Sequence, residues 1–97
     1  MLRDITKILK ALKSGQVQFT THAYQQMHHR RLSELDVMSI GATCVDAKWQ
    51  GDRQTYLIVG YAADGKGAAV SCKIDGDVVV VTVMRRHLTK KEKGGTR

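Results

Sequence analysis

The sequence predicts an α+β domain, with N-terminal helices packed on one face of a four-stranded antiparallel meander. The sheet becomes five-stranded if an early extended segment joins it. Three observations carry this. Apolar residues recur with a helical period near the start of the chain, and the period changes to two after Gly41. The apolar runs of the second half are separated by short Gly- and Asp-containing turns.

The first helix rests on Ile5, Ile8, Leu9 and Leu12, which fall on one stripe of a 3.6-residue period, while Arg3, Lys7, Lys10 and Lys13 decorate the other faces. Ser14-Gly15 ends it, because glycine takes a left-handed cap without steric cost. Gln16 to Phe19 alternates polar and apolar and reads as a short extended piece. Thr20 or Thr21 then caps a second helix from about His22 to Arg30, with Ala23 and Met27 facing inward. Ser33 is the N-cap of a third helix running to about Gly41. Leu32 is its staple residue, Glu34 and Asp36 stand in its first turn, and Val37 and Ile40 are its core positions.

Four strands follow at about 43–49, 54–62, 68–74 and 78–85, linked by Gly51-Asp52, Asp64-Gly65-Lys66-Gly67 and Asp75-Gly76-Asp77. Links this short make antiparallel neighbours in chain order. Val78 to Val81 is continuously apolar, so the last strand is expected inside the sheet, with the early piece Gln16–Phe19 pairing beyond it. Three helices on one side leave the opposite sheet face open as a ligand surface or dimer interface.

Composition narrows the function classes. The chain has 97 residues, 42% hydrophobic and 26% charged, which is the make-up of one folded domain rather than a disordered chain. Residues 1–88 are expected to form that domain, and residues 89–97 a basic, disordered tail. No stretch reaches the length of a membrane span, and the charged first turns lack the apolar block of a signal peptide, so a cytoplasmic location is expected. Cys44 and Cys72 belong to no Cys-x-x-Cys pair and read as reduced, inert thiols. The net charge of +7 is concentrated at one end. Arg85, Arg86, Lys90, Lys91, Lys93 and Arg97 face Glu92 alone and contribute +5 of it. Such a segment attracts phosphates without sequence preference, or simply aids solubility.

The densest polar cluster lies on the second helix. At 100° per residue, His22, Gln26 and His29 share one side with Arg30 adjacent, while His28 points elsewhere. A histidine at the edge of the buried stripe is held in place yet reaches solvent, which suits proton transfer near neutral pH. It equally suits a structural residue near a helix N-terminus. An arginine two turns on offers a planar fork for phosphate. His22 and His29 are too far apart for one metal ion, and no phosphate loop, nucleophile elbow or zinc motif is present, so neither a metal nor a cofactor is expected. Arg85 and Arg86 lie on opposite faces of the last strand. A basic pair there, followed by Lys90 and Lys91, is compatible with holding a nucleic-acid backbone.

Phe19-Thr20-Thr21-His22-Ala23-x-x-x-Met27-x-x-Arg30-x-Leu32-Ser33-x-x-Asp36-Val37, closing on Val80-Val81-Thr82-Val83, resembles the bacterial family known as domain of unknown function 4258. That family is in turn similar to small toxin ribonucleases of the RelE and BrnT type, which pack helices on a curved antiparallel sheet and cleave RNA without metal. The resemblance implies an RNA-directed protein, with metal-independent endoribonuclease activity and an antitoxin-like protein partner. It implies His22, Arg30 and Arg85 as catalytic residues, with His22 as acid or base and the arginines stabilising a charged phosphorane. Gln26, His29, Arg86, Lys90 and Lys91 would contact RNA. Gln26 stands where the family commonly carries an arginine, which weakens phosphate binding at that spot. The alternative is a non-catalytic module that binds nucleic acid through its tail or a protein through its sheet, including a second copy of itself through a sheet edge or the open face.

Overall fold

In the computed structural model, which describes residues 2–88, three helices and five strands follow one another as α1 (Leu2–Ser14), β1 (Gln18–Phe19), α2 (Thr21–His29), α3 (Glu34–Ala42), β2 (Asp46–Gln50), β3 (Thr55–Tyr61), β4 (Gly67–Asp75) and β5 (Asp77–Arg85). The sheet order is β1-β5-β4-β3-β2. β2 to β5 form the expected antiparallel meander. The fifth strand corrects the expectation of a purely antiparallel sheet. β1 pairs parallel to β5, Gln18 opposite Val79 and Phe19 opposite Val80, so the sheet is mixed. The cause is connectivity, since every element between β1 and β5 intervenes and no tight turn forces the two strands to oppose each other.

The stripe of α1 is buried as the spacing requires. Ile8 and Leu12 are fully buried, and Ile5 and Leu9 pack partly against the same core. α1 lies on α3 so closely that a Cβ on Gly41 would sit 2.5 Å from the Leu12 Cβ, and only glycine permits that approach. α2 and α3 begin at the predicted caps. The Thr20 side chain accepts from the Ala23 N–H at 3.0 Å. Ser33 and Asp36 form a capping box, in which the Asp36 carboxylate accepts from the Ser33 N–H at 2.7 Å. The second oxygen of Asp36 accepts from the Ala63 N–H at 2.9 Å and ties α3 to the β3–β4 turn.

α1 and α2 end in the same way, with a left-handed residue and paired reverse hydrogen bonds. In α1, Gly15 (φ 76°) donates to the Leu12 carbonyl and Gln16 to that of Ala11. In α2 the left-handed residue is Arg31 (φ 55°), which donates to His28, while Leu32 donates to Met27.

Helix-facing residues of the sheet (Tyr56, Ile58, Ala68, Val70, Cys72, Val78, Val80 and Val83) join the helix stripes in the main core. A β-bulge interrupts β5. Cys72 opposes Val80 and Ser71 opposes Thr82, so Val81 is the extra residue. After it, odd-numbered residues face the helices. The opposite sheet face is not the open surface that three helices on one side imply. Leu57, Val59, Ala69 and Leu88 form a second buried cluster there, with Val45, Tyr61 and Met84 packed against it. The chain beyond β5 brings Leu88 back over that face, where it is 8% exposed.

Candidate phosphate-binding hollow at the end of the last strand

The link between β3 and β4 is built to turn tightly. The Asp64 carboxylate accepts from the Lys66 N–H at 3.0 Å, Gly65 adopts φ 82°, and the Ala62 N–H bonds the Lys66 carbonyl at 2.9 Å. Because Ala68 opposes Arg85 and the Arg86 N–H continues the ladder to the Gly67 carbonyl at 3.1 Å, this turn lies against the end of β5. A Cβ on Gly67 would fall 2.2 Å from the Arg86 carbonyl oxygen, so glycine lets the two segments close together.

Between them is a hollow of about 420 Å³ walled by Tyr61, Gly65, Lys66, Gly67, Arg85, Arg86, His87 and Leu88. Lys66, Arg85 and Arg86 bring three basic side chains to it, with the His87 imidazole beside them. Arg85 is paired with Asp64, whose two oxygens lie 3.2 and 3.1 Å from Arg85 Nη1. The Lys66 N–H and then the nearby Arg85 guanidinium hold the Asp64 carboxyl below its ordinary range. Arg85 is thereby oriented. Tyr61 is fixed through its backbone, since its N–H bonds the Thr43 hydroxyl at 2.8 Å and its carbonyl accepts from the Ser39 hydroxyl at 2.8 Å. Both hydroxyls come from the C-terminal half of α3 and its cap.

α2 runs beside β5 in the same direction. Thr20 donates from its N–H to the Val80 carbonyl and from its hydroxyl to that of Val81, and Gln26 meets β5 at Val83. His22, exposed in the first turn, is therefore level with the bulge. Arg30, the half-buried C-cap, stands about 6 Å beyond Gln26 along the helix axis. His22 and Arg30 are thus about 12 Å apart along α2.

Arg85 and Arg86 share the hollow, whereas His22, Gln26, His29 and Arg30 are not among its walls. His28 and His29 are exposed on the last turn of α2. Gln26 accepts from the Val83 N–H at 3.3 Å. Lys90 and Lys91, with the rest of the predicted tail, lie outside the described residues. Sequence reasoning named Arg85 and Arg86 but did not bring Lys66 or Tyr61 to them. The available signal was hairpin arithmetic, because the strand lengths on either side of Asp64–Gly67 place that turn at the end of β5.

Among the described residues no three His, Cys, Asp or Glu side chains gather as metal ligands, and no helix is long and apolar enough to cross a membrane. Cys44 and Cys72 are free thiols.

Fold and hollow together define a small α+β domain, three helices on a mixed five-stranded sheet, with a cationic recess where the last strand ends. The family model described as Domain of unknown function (DUF4258) matches residues 19–85, and the chain belongs to that family. The matched span runs from β1 to the first arginine of the hollow. No curated protein and no solved structure matches the chain.

Proposed function

We propose that this domain is RNA-directed and holds the phosphate backbone in the hollow at the end of β5. The observation that carries the reading is the gathering of Lys66, Arg85, Arg86 and His87 around one recess, with Asp64 paired to Arg85. Clustered cations release the counterions condensed on a polyanion, and this supplies the sequence-independent part of affinity. The choice of RNA rests on the resemblance to RelE- and BrnT-type proteins. Binding without cleavage is the better supported form, because His22 stands at the far end of α2 from the arginines. An endoribonuclease acting through His22, Arg30 and Arg85 would need substrate to bridge that distance.

Equilibrium binding of the full chain to single-stranded RNA across a salt series tests this. Each phosphate contact contributes about −0.7 to the slope of log K against log salt. Arg85→Gln/Arg86→Gln should flatten the slope by about 1.4 and weaken binding at low salt. His22→Ala should leave affinity unchanged, and the wild type should not cut RNA in chelator. Undiminished binding by the double variant would remove the hollow from the function. Chelator-resistant cleavage lost at least ~10²-fold in His22→Ala would restore the catalytic form.

A further inference from the structure

The recess is not a plain basic patch. Beside the basic side chains of Lys66, Arg85 and Arg86 and the imidazole of His87, its lining includes the aromatic Tyr61 and the apolar Leu88, with Gly65 and Gly67. Its volume, about 420 Å³, falls within the roughly 300–1,000 Å³ of small-ligand sites. Phosphate contacts need only cations, and an aromatic ring beside them adds a face on which a base can stack. A nucleotide needs both, with guanidinium or ammonium groups for the phosphate and a ring face for the base.

Tyr61 suits the second role. Its backbone is clamped by Ser39 and Thr43, its cross-strand partner is Gly67, which has no side chain, and its ring packs beside the cluster of Leu57, Val59, Ala69 and Leu88 while lining the recess. Arg85 suits the first. Its guanidinium is already oriented by Asp64, so little side-chain freedom is lost on binding. The turn and the end of β5 close the recess from two sides, which fits one nucleotide unit better than a strand passing through.

We infer that the hollow is a site for a single nucleotide, with its phosphate on Arg85, Arg86 and Lys66 and its base against Tyr61. This rests on the phosphate-binding reading above and narrows its ligand to a nucleoside monophosphate group, either free or at the phosphorylated end of an RNA strand.

Titration calorimetry on the full chain tests it with inorganic phosphate, uridine 3′-monophosphate, adenosine 5′-monophosphate and short RNAs with or without a 3′-phosphate. At least one mononucleotide should bind about tenfold more tightly than inorganic phosphate. Tyr61→Leu, which keeps apolar bulk but loses the ring face, should shrink that ratio toward one, and Tyr61→Phe should preserve it. If the strand end is the source, the 3′-phosphorylated RNA outcompetes its hydroxyl-ended counterpart. If free nucleotide is the source, the two RNAs bind alike and mononucleotide displaces both. Mononucleotide binding no tighter than phosphate, or a ratio unmoved by Tyr61→Leu, overturns the inference. In that case salt-sensitive RNA binding lost in the double arginine variant would still uphold the broader reading. Absence of all nucleic-acid binding would sink both.

Discussion

The Gln26 side chain reaches from α2 to the Val83 N–H and accepts its hydrogen bond at 3.3 Å, closing the edge of β5 where β1 has already stopped. β1 covers only Val79 and Val80, so beyond the bulge the outer ladder of β5 has no strand to pair with among the described residues. A side-chain amide supplies one acceptor at a residue whose own side chain is fully buried. A position first read as a missing RNA-binding arginine therefore has a structural occupation.

Gln26→Ala should destabilise the fold by about 1–2 kcal/mol, because it leaves the Val83 donor without its partner. Gln26→Glu, which still presents an acceptor, should cost less, and Gln26→Arg, which presents only donors, should cost at least as much as alanine. Denaturant midpoints rank the three, and exchange of the Val83 amide should accelerate in the alanine and arginine variants.

Arg31→Gly should stabilise the protein. The left-handed conformation costs a residue with a Cβ roughly 1–2 kcal/mol, while a new glycine gives back about 0.5–1 kcal/mol in unfolded-state freedom. The net gain is about 0.5–1 kcal/mol, read as a higher denaturant midpoint with an unchanged slope. α1 already uses glycine at the equivalent position, Gly15.

Two groups link stability to pH in opposite directions. Asp64 has a lowered pKa in the fold, through the Lys66 N–H first, so it binds its proton less tightly folded than unfolded. Its contribution is present above the ordinary value of 3.8 and is lost as pH falls through the lower folded value. The stability difference between wild type and Asp64→Asn should therefore shrink only in strong acid. Tyr56 donates to the Asp4 carboxylate at 2.7 Å, and that bond, with burial second, raises its pKa above the ordinary 10.0. Its contribution is present below 10.0 and is lost as pH rises through the folded value. In a titration of tyrosinate absorbance, the Tyr56 ionisation should move earlier in Asp4→Asn.

One thiol, not two, should react in the native state. Burial pushes the Cys72 thiol up to about 12, and the residue is fully enclosed between Tyr56 and Val80 on the neighbouring strands. Cys44 is half-buried, with its pKa raised by burial and its Sγ 3.3 Å from the Asp46 carbonyl oxygen. Alkylation should label Cys44 slowly, and Cys72 only at the rate of global unfolding.

The helices were legible because periodicity, caps and a terminal glycine agreed at each one, as at Ile8, Leu12 and Gly15, or Ser33, Asp36 and Val37. The meander was legible from its turns. Three features were not. The place of β1 beyond β5 was expected, but its parallel direction was not, because its partner lies 61 residues away and no local pattern fixes the sense. The bulge hides in a run of four valines, where alternation has no contrast to reveal a slipped residue. The covered second face depends on Leu88 folding back past the strand end. At the site, the arginine pair stood out by charge, but Lys66 and Tyr61 joined it only through sheet register. His22, Arg30 and Arg85 were brought together only by the family resemblance, and of the three only Arg85 lines the hollow.

The extra residue at Val81 also decides which side chains reach the core downstream. Were Val81 paired as an ordinary strand residue, the remainder of β5 would turn over: Thr82 and Met84 would project into the space now filled by Val83, and Arg86 would take the face that Arg85 now holds. Deleting Val81 would do the opposite. Val80 already pairs with Cys72 and Thr82 with Ser71, so the ladder would close without a slip and every later side chain would keep its present face.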